Sequence, residues 1–143
     1  MLETVNLQSG VAVFAQLENE VRFAIAAGEL HPGDRLPTVR AVAEALDINP
    51  NTVAKAYRDL EIMGLVYTRR GMGVFIRDGV AEKCRAECYR EVACKMHEAV
   101  AEARAAGMAE ADIMSIARKC YASRSGPYEK PAASLLALAR PKK

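Results

Sequence analysis

Apolar positions divide this chain into stretches of different period. From about Val11 to Ala27, Phe14, Leu17, Val21, Ala24 and Ile25 return near i, i+3, i+7, i+10 and i+11, the spacing of one buried helix face. Gly28 stops that run. "HPGDRLP" follows, with a turn at Pro32-Gly33, a turn residue at His31, and Thr38 after Pro37 as a candidate N-cap. Val39, Val42, Ala43 and Leu46 predict a short second helix. Asp47 to Pro50 reads as a turn, in which Asn49 or Asn51 caps a third helix and Pro50 lies in its first turn. Along that helix Val53, Ala56, Tyr57 and Leu60 form the buried stripe, and Gly64 ends it. The period then drops to two: Leu65 to Thr68 and Val74 to Ile76 predict a hairpin around the loop "RRGMG".

After Asp78 the composition turns to Ala, Glu, Arg and Lys. Helical spacing runs from about Val80 to Ala106, breaks at Gly107, and resumes from about Ala109 to Tyr121. The tail "SRSGPYEKPAASLLALARPKK" is punctuated by Ser, Gly and Pro, and no internal repeat is present. The expected division is 1–78 for a first domain, 79–122 for a two-helix region and 123–143 for the tail. The fold class is mainly α with a small β-hairpin.

Composition narrows the function. The chain has 143 residues, 51% hydrophobic and 27% charged, with no apolar run long enough to cross a bilayer. "MLETVNLQSG" has no basic stretch leading into an apolar core, so a signal peptide is not expected and a cytoplasmic setting is. The four cysteines are then expected to be reduced. Net charge is +2, but residues 1–78 hold 8 Lys plus Arg against 10 Asp plus Glu, a balance of −2. If this half binds nucleic acid, its few cations must gather on one face.

Three helices and a hairpin, with a tight turn between the second and third helices, make the plan of a winged helix-turn-helix, whose second motif helix enters the major groove. Outside the buried stripe the third helix begins with Asn49, Asn51, Thr52 and Lys55. These are polar side chains at a helix N-terminus, where base edges are reached and free backbone N–H groups favour phosphate. Arg69 and Arg70 supply cations at the hairpin, while Gly71 and Gly73 permit a tight loop and close approach.

The stretch "GDRLPTVRAVAEALDINPNTVAKAYRDLEIMGLVYTRRGMGVFI" resembles the GntR family of bacterial transcription regulators in its "GDRLPTVR" segment, "NPNTVAKAY" helix start, "LEIMGLV" and "RRGMGVFI" wing. The resemblance covers about residues 10 to 77. It implies that Arg35, Thr38 and Arg40 contact phosphate or a base near the helix pair, that Asn49, Asn51, Thr52 and Lys55 lie on the recognition surface, and that Arg69 to Gly73 form the wing. Pro50 departs from the Arg or Ser of many members, so no base contact is expected from it.

Only 65 residues follow the wing, too few for the large effector domains of other branches. The arrangement is similar to the YtrA branch, in which a short helical extension serves dimerisation. Helices of about 27 and about 13 residues cannot close a core on themselves, so their apolar stripes are expected to pair with a second copy.

Cys84, Cys88, Cys94 and His97 are the candidate metal ligands. Cys84 and Cys88 share a helix face at i, i+4, and thiolates so placed can bind a soft metal or react with an oxidant. Cys94 lies roughly 1,000° further along the helix and about 80° off that face, so the favoured reading is small buried or interfacial residues. His31 and His97 lack a catalytic partner, and "GMG" sits in a hairpin rather than before a helix, so no enzyme and no cofactor are expected. The sequence therefore predicts a homodimeric DNA-binding regulator, a repressor of a palindromic operator, whose partners are double-stranded DNA, a second copy and an unidentified small-molecule or metal effector. The alternative is a metal- or thiol-responsive sensor whose Cys-bearing helices control DNA release.

Overall fold

The computed structural model describes residues 11–123. The N-terminal stretch read for a signal peptide and the tail from Arg124 lie outside them. The chain forms two compact units, the first reaching Arg85 and the second beginning at Ala86.

In the first unit the order is α1 (Val13–Ala26), α2 (Val39–Leu46), α3 (Pro50–Ile62), β1 (Val66–Arg69) and β2 (Gly73–Ile76), followed by the start of α4 (Ala81–Ala105). Leu17, Val21, Ala24 and Ile25 of α1 pack with Val42 and Ala43 of α2 and with Val53, Ala56, Tyr57 and Leu60 of α3. Leu65, Val66 and Ile76 close this core from the hairpin. Each fully buried Leu, Ile or Val contributes about 1.5 to 3 kcal/mol relative to exposure, so the stripes seen in the sequence are what hold the three helices together.

Helix ends follow the expected chemistry. The α1 run stops at Gly28, whose φ of +73° suits a residue without a Cβ. The Thr38 hydroxyl accepts from the Ala41 backbone N–H at 3.1 Å, capping α2. The Asn49 carboxamide accepts from Asn51 N–H at 2.8 Å, so Asn49 rather than Asn51 caps α3, with Pro50 in its first turn.

Two features of the hairpin differ from the sequence reading. Arg69 and Gly73 are a paired position of the antiparallel ladder, so the hairpin loop is Arg70 to Met72, shorter than "RRGMG". The other edge of β2 is also occupied: Leu36 N–H donates to Val74 O, Ile76 N–H to Asp34 O, and Arg35 bridges Phe75. The connection read as a loop thus adds a one-residue strand to the wing.

The boundary expected at Asp78 falls inside the first unit. Val80 is 7% exposed and Cys84 is fully buried, and both belong to the core of the three helices. Lys83 also donates to the Met63 carbonyl at 3.3 Å.

The second unit holds the rest of α4 and α5 (Glu110–Ala122), joined through Gly107 at φ +78°. No residue of α5 is buried. No helix among the described residues is long and apolar enough to cross a membrane.

Candidate nucleic-acid interface

The turn between α2 and α3 brings the first polar side chains together. Asp47 takes the left-handed conformation at φ +52°, ψ +49°, and its N–H returns to the Ala43 carbonyl, so α2 ends abruptly and α3 starts three residues later. Asn49 and Asn51 are exposed and Thr52 half-buried at the α3 N-terminus, beside the backbone N–H groups that no intrahelical carbonyl reaches. The Asn49 and Thr38 oxygens are engaged in capping, which orders them and leaves the Asn49 amide N–H₂ and the Thr38 O–H as donors toward solvent.

Tyr57 fixes the angle between these helices. Its hydroxyl donates to the Pro37 carbonyl at 2.7 Å, tying the middle of α3 to the residue that precedes the α2 cap. Burial, helped by the negative charge of Glu20, pushes the Tyr57 hydroxyl above its ordinary range, so it remains a donor.

Two of the expected site cations are already paired. Arg40 Nε lies 3.0 Å from Glu44 Oε1, with both side chains widely exposed. Lys55 turns toward α1, where its Nζ lies 2.9 Å from Asp59 Oδ2 and 4.4 Å from the centre of the Phe14 ring. Asp59 in turn meets Glu18. Desolvation first, then the hydrogen bond to Asp59 and its charge, push Glu18 up to about 7, while Lys55 and Arg22 pull the other way. The hydrogen bond from Lys55, then that from Glu18, holds Asp59 below the usual range. When protonated, Glu18 can donate to the Asp59 carboxylate, which also accepts from Lys55, while Glu18 Oε1 is buried without a hydrogen-bond partner.

The wing carries the remaining cations. Arg70 and Gly71 are exposed at its tip, and Gly71 at φ +76° makes the turn. Tyr67 and Phe75 stack on the hairpin with ring centroids 5.7 Å apart, and Arg69 lies over both. Gly73 has φ +120°, and a Cβ there would come within 2.7 Å of Arg35 Nε. Among the described residues no ion pair joins Arg35, Arg69 or Arg70 to a carboxylate. Gly73 thus admits another side chain of the same protein, a role distinct from the close approach of DNA expected for it.

The candidate metal ligands are not gathered. Cys84 packs in the core as a small apolar residue, Cys88 is buried, and Cys94 and His97 are exposed. No three His, Cys, Asp or Glu side chains among the described residues form a group able to hold a metal. His31 is a turn residue as expected, its N–H donating to Asp34 Oδ2 at 2.8 Å.

Sequence reasoning missed the Tyr67–Phe75 pair and the Glu18–Asp59–Lys55 chain. The aromatics could have been found, since period two places Tyr67 and Arg69 on one strand face. The carboxyl pair had no signal, because it joins two helices about forty residues apart in sequence.

Comparison with known proteins agrees with this geometry. Residues 14–76 match the family model described as bacterial regulatory proteins, gntR family. The chain is 40% identical over 111 residues to the HTH-type transcriptional regulator Rv1152 of Mycobacterium tuberculosis, covering 77% of this chain and 86% of that protein. It is 36% identical over 74 residues to the HTH-type transcriptional repressor YtrA of Bacillus subtilis, covering 52% and 57%. The crystal structure of a transcriptional regulator from Oenococcus oeni superposes with a TM-score of 0.63 at 28% identity, over 83% of this chain and 98% of that one. A winged helix-turn-helix matched by the family model over residues 14–76, and by a relative at 40% identity across most of its length, places this chain in the GntR family of DNA-binding transcription regulators.

Proposed function

We propose that the protein acts as a homodimeric repressor of a palindromic operator, with α4 and α5 as the dimer element. The observation that carries this reading is the uncovered apolar surface of the second unit. Tyr89, Val92, Met96 and Val100 of α4 are exposed, as are Met114, Ile116 and Tyr121 of α5, where nothing is buried. Apolar residues at these spacings, left uncovered among the described residues, lose water against a second copy, and a two-fold axis makes such a contact self-complementary. A dimer presents two α3 helices to half-sites about one helical turn apart, which is what a palindrome offers.

Within each protomer Asn49, Asn51 and Thr52 read base edges in the major groove, Thr38 and Arg40 flank them on the backbone, and Arg35, Arg69 and Arg70 follow phosphates or enter the minor groove. Lys55 contributes by releasing Asp59 when phosphate competes for it. Repression is inferred from the relative in Bacillus subtilis whose name carries it. The domain reading becomes a winged unit through Arg85, which retains Val80 and Cys84, followed by the dimer helices.

Sedimentation of the full chain beside one ending at Arg85 tests the assembly. The full chain is expected to be a dimer, and the shorter one a folded monomer whose affinity for a palindrome falls by about 10² to 10⁴ through loss of the linked second module. A shorter chain that remains dimeric would place the interface on the winged unit instead.

A further inference from the structure

The wing holds more order than a phosphate-tracking loop requires. Tyr67 is opposite Phe75 and Arg69 opposite Gly73 in the antiparallel register. Directly opposed residues point to one face, as do residues two apart on a strand, so Tyr67, Phe75, Arg69 and the missing Gly73 side chain share a face. The ring planes lie within 26° of parallel, and the Arg69 guanidinium carbon is 5.8 Å from one centroid and 5.9 Å from the other. Arg35 reaches the same face from the opposite edge of β2, because its Nε occupies the space next to where a Gly73 Cβ would stand.

Two guanidinium groups thus stand on one face of the hairpin, Arg35 next to Gly73 and Arg69 over the Tyr67 and Phe75 rings. Like charges so placed repel, and among the described residues no carboxylate pairs with either. A phosphate oxygen pair would offset that repulsion and suit the planar donors of two arginines. We propose that Tyr67 and Phe75 are positioning residues that hold Arg69 beside Arg35 around Gly73, making a two-guanidinium seat for a single DNA phosphate. The proposal rests on the wing being part of the DNA surface.

The test uses the full chain and a short mixed-sequence duplex, with affinity measured as a function of salt. Arg69→Ala should weaken binding and lower the salt dependence. Arg35→Ala with Arg69→Ala should lower the slope by about one unit, the value for one phosphate, and a loss near two units would mean separate phosphates and overturn the shared seat. In a Tyr67→Leu/Phe75→Leu background, which keeps apolar volume and removes the ring faces, the Arg69→Ala effect should shrink about threefold, the size of an exposed cation–π contact. The Arg70→Ala effect should stay the same there, and Tyr67→Phe or Phe75→Tyr should bind as wild type. An Arg69 effect equal in both backgrounds removes the positioning role while the wing reading survives. A parallel fall at Arg69 and Arg70 would show that the rings merely hold the hairpin, which also overturns it. If Arg69→Ala alters neither affinity nor slope, the wing is not on the DNA and the seat falls with it.

Discussion

Tyr57→Phe removes a single oxygen from the joint between α3 and the start of α2, so its cost can be worked out from the structure. The hydroxyl donates to the Pro37 carbonyl at 2.7 Å, and Tyr57 is 6% exposed. Losing a neutral hydrogen bond costs about 1 kcal/mol net, and leaving a buried acceptor unsatisfied raises that to about 1 to 3 kcal/mol. Pro37 is half-buried, so water can reach its carbonyl in part and the lower end applies: about 1 to 1.5 kcal/mol. For a unit of this size that corresponds to a fall in Tm of about 4 to 10 °C. Burial of the hydroxyl adds a pH dependence of its own. The folded hydroxyl titrates above its ordinary value of 10.0, so its contribution is complete below that pH and is lost as pH rises toward the folded value. Each pH unit above the unfolded value takes about 1.4 kcal/mol from the wild type and nothing from the Phe variant at this site. The two proteins should therefore differ at pH 8 and nearly coincide near pH 11. Thermal melts followed by circular dichroism at fixed protein concentration across that range provide the measurement. A Phe variant within about 0.3 kcal/mol of wild type at pH 8, or a difference independent of pH, would refute the reasoning.

Thr52→Ala should cost about 1 to 3 kcal/mol on the operator and relax preference at one base position, whereas Arg70→Ala should weaken binding to every duplex and flatten the salt slope by about one unit. Equal losses on operator and random DNA for Thr52→Ala would remove α3 as the reader. Glu18, pushed up to about 7 in the fold from 4.5, binds its proton more tightly folded than unfolded. Its contribution is therefore present at acid pH and lost as pH rises from about 4.5 toward 7, and Glu18→Gln should flatten the pH dependence of the urea midpoint over that window. An unchanged profile would mean the proton is not held there. Asp47→Gly should raise stability by about 0.5 to 1 kcal/mol, because Asp47 sits at φ +52° where glycine meets no Cβ penalty. Chemical denaturation checks it, and a loss of stability would show that the Asp47 side chain contributes more than its backbone strain costs.

What the sequence determined by itself was everything that depends on short periods. Stripes such as Val53, Ala56, Tyr57 and Leu60 could only be buried on one face, and Thr38, Asn49, Pro50, Gly28 and Gly64 mark ends whose chemistry is local. The polar α3 start and the hairpin arginines were legible for the same reason. Tertiary structure alone decided what needs two distant segments. Leu36 and Asp34 pair with β2 because that edge would otherwise leave backbone groups unpaired, and this carries Arg35 to Gly73. The Lys55–Asp59 pair at i, i+4 is legible along α3, yet Phe14 lies under the Lys55 ammonium from α1, a contact no spacing along α3 could announce. The first turn of α4 belongs to the winged core rather than to the extension, since Val80 and Cys84 fill space left between the helices and the hairpin, and the shape of that space exists only once they are assembled.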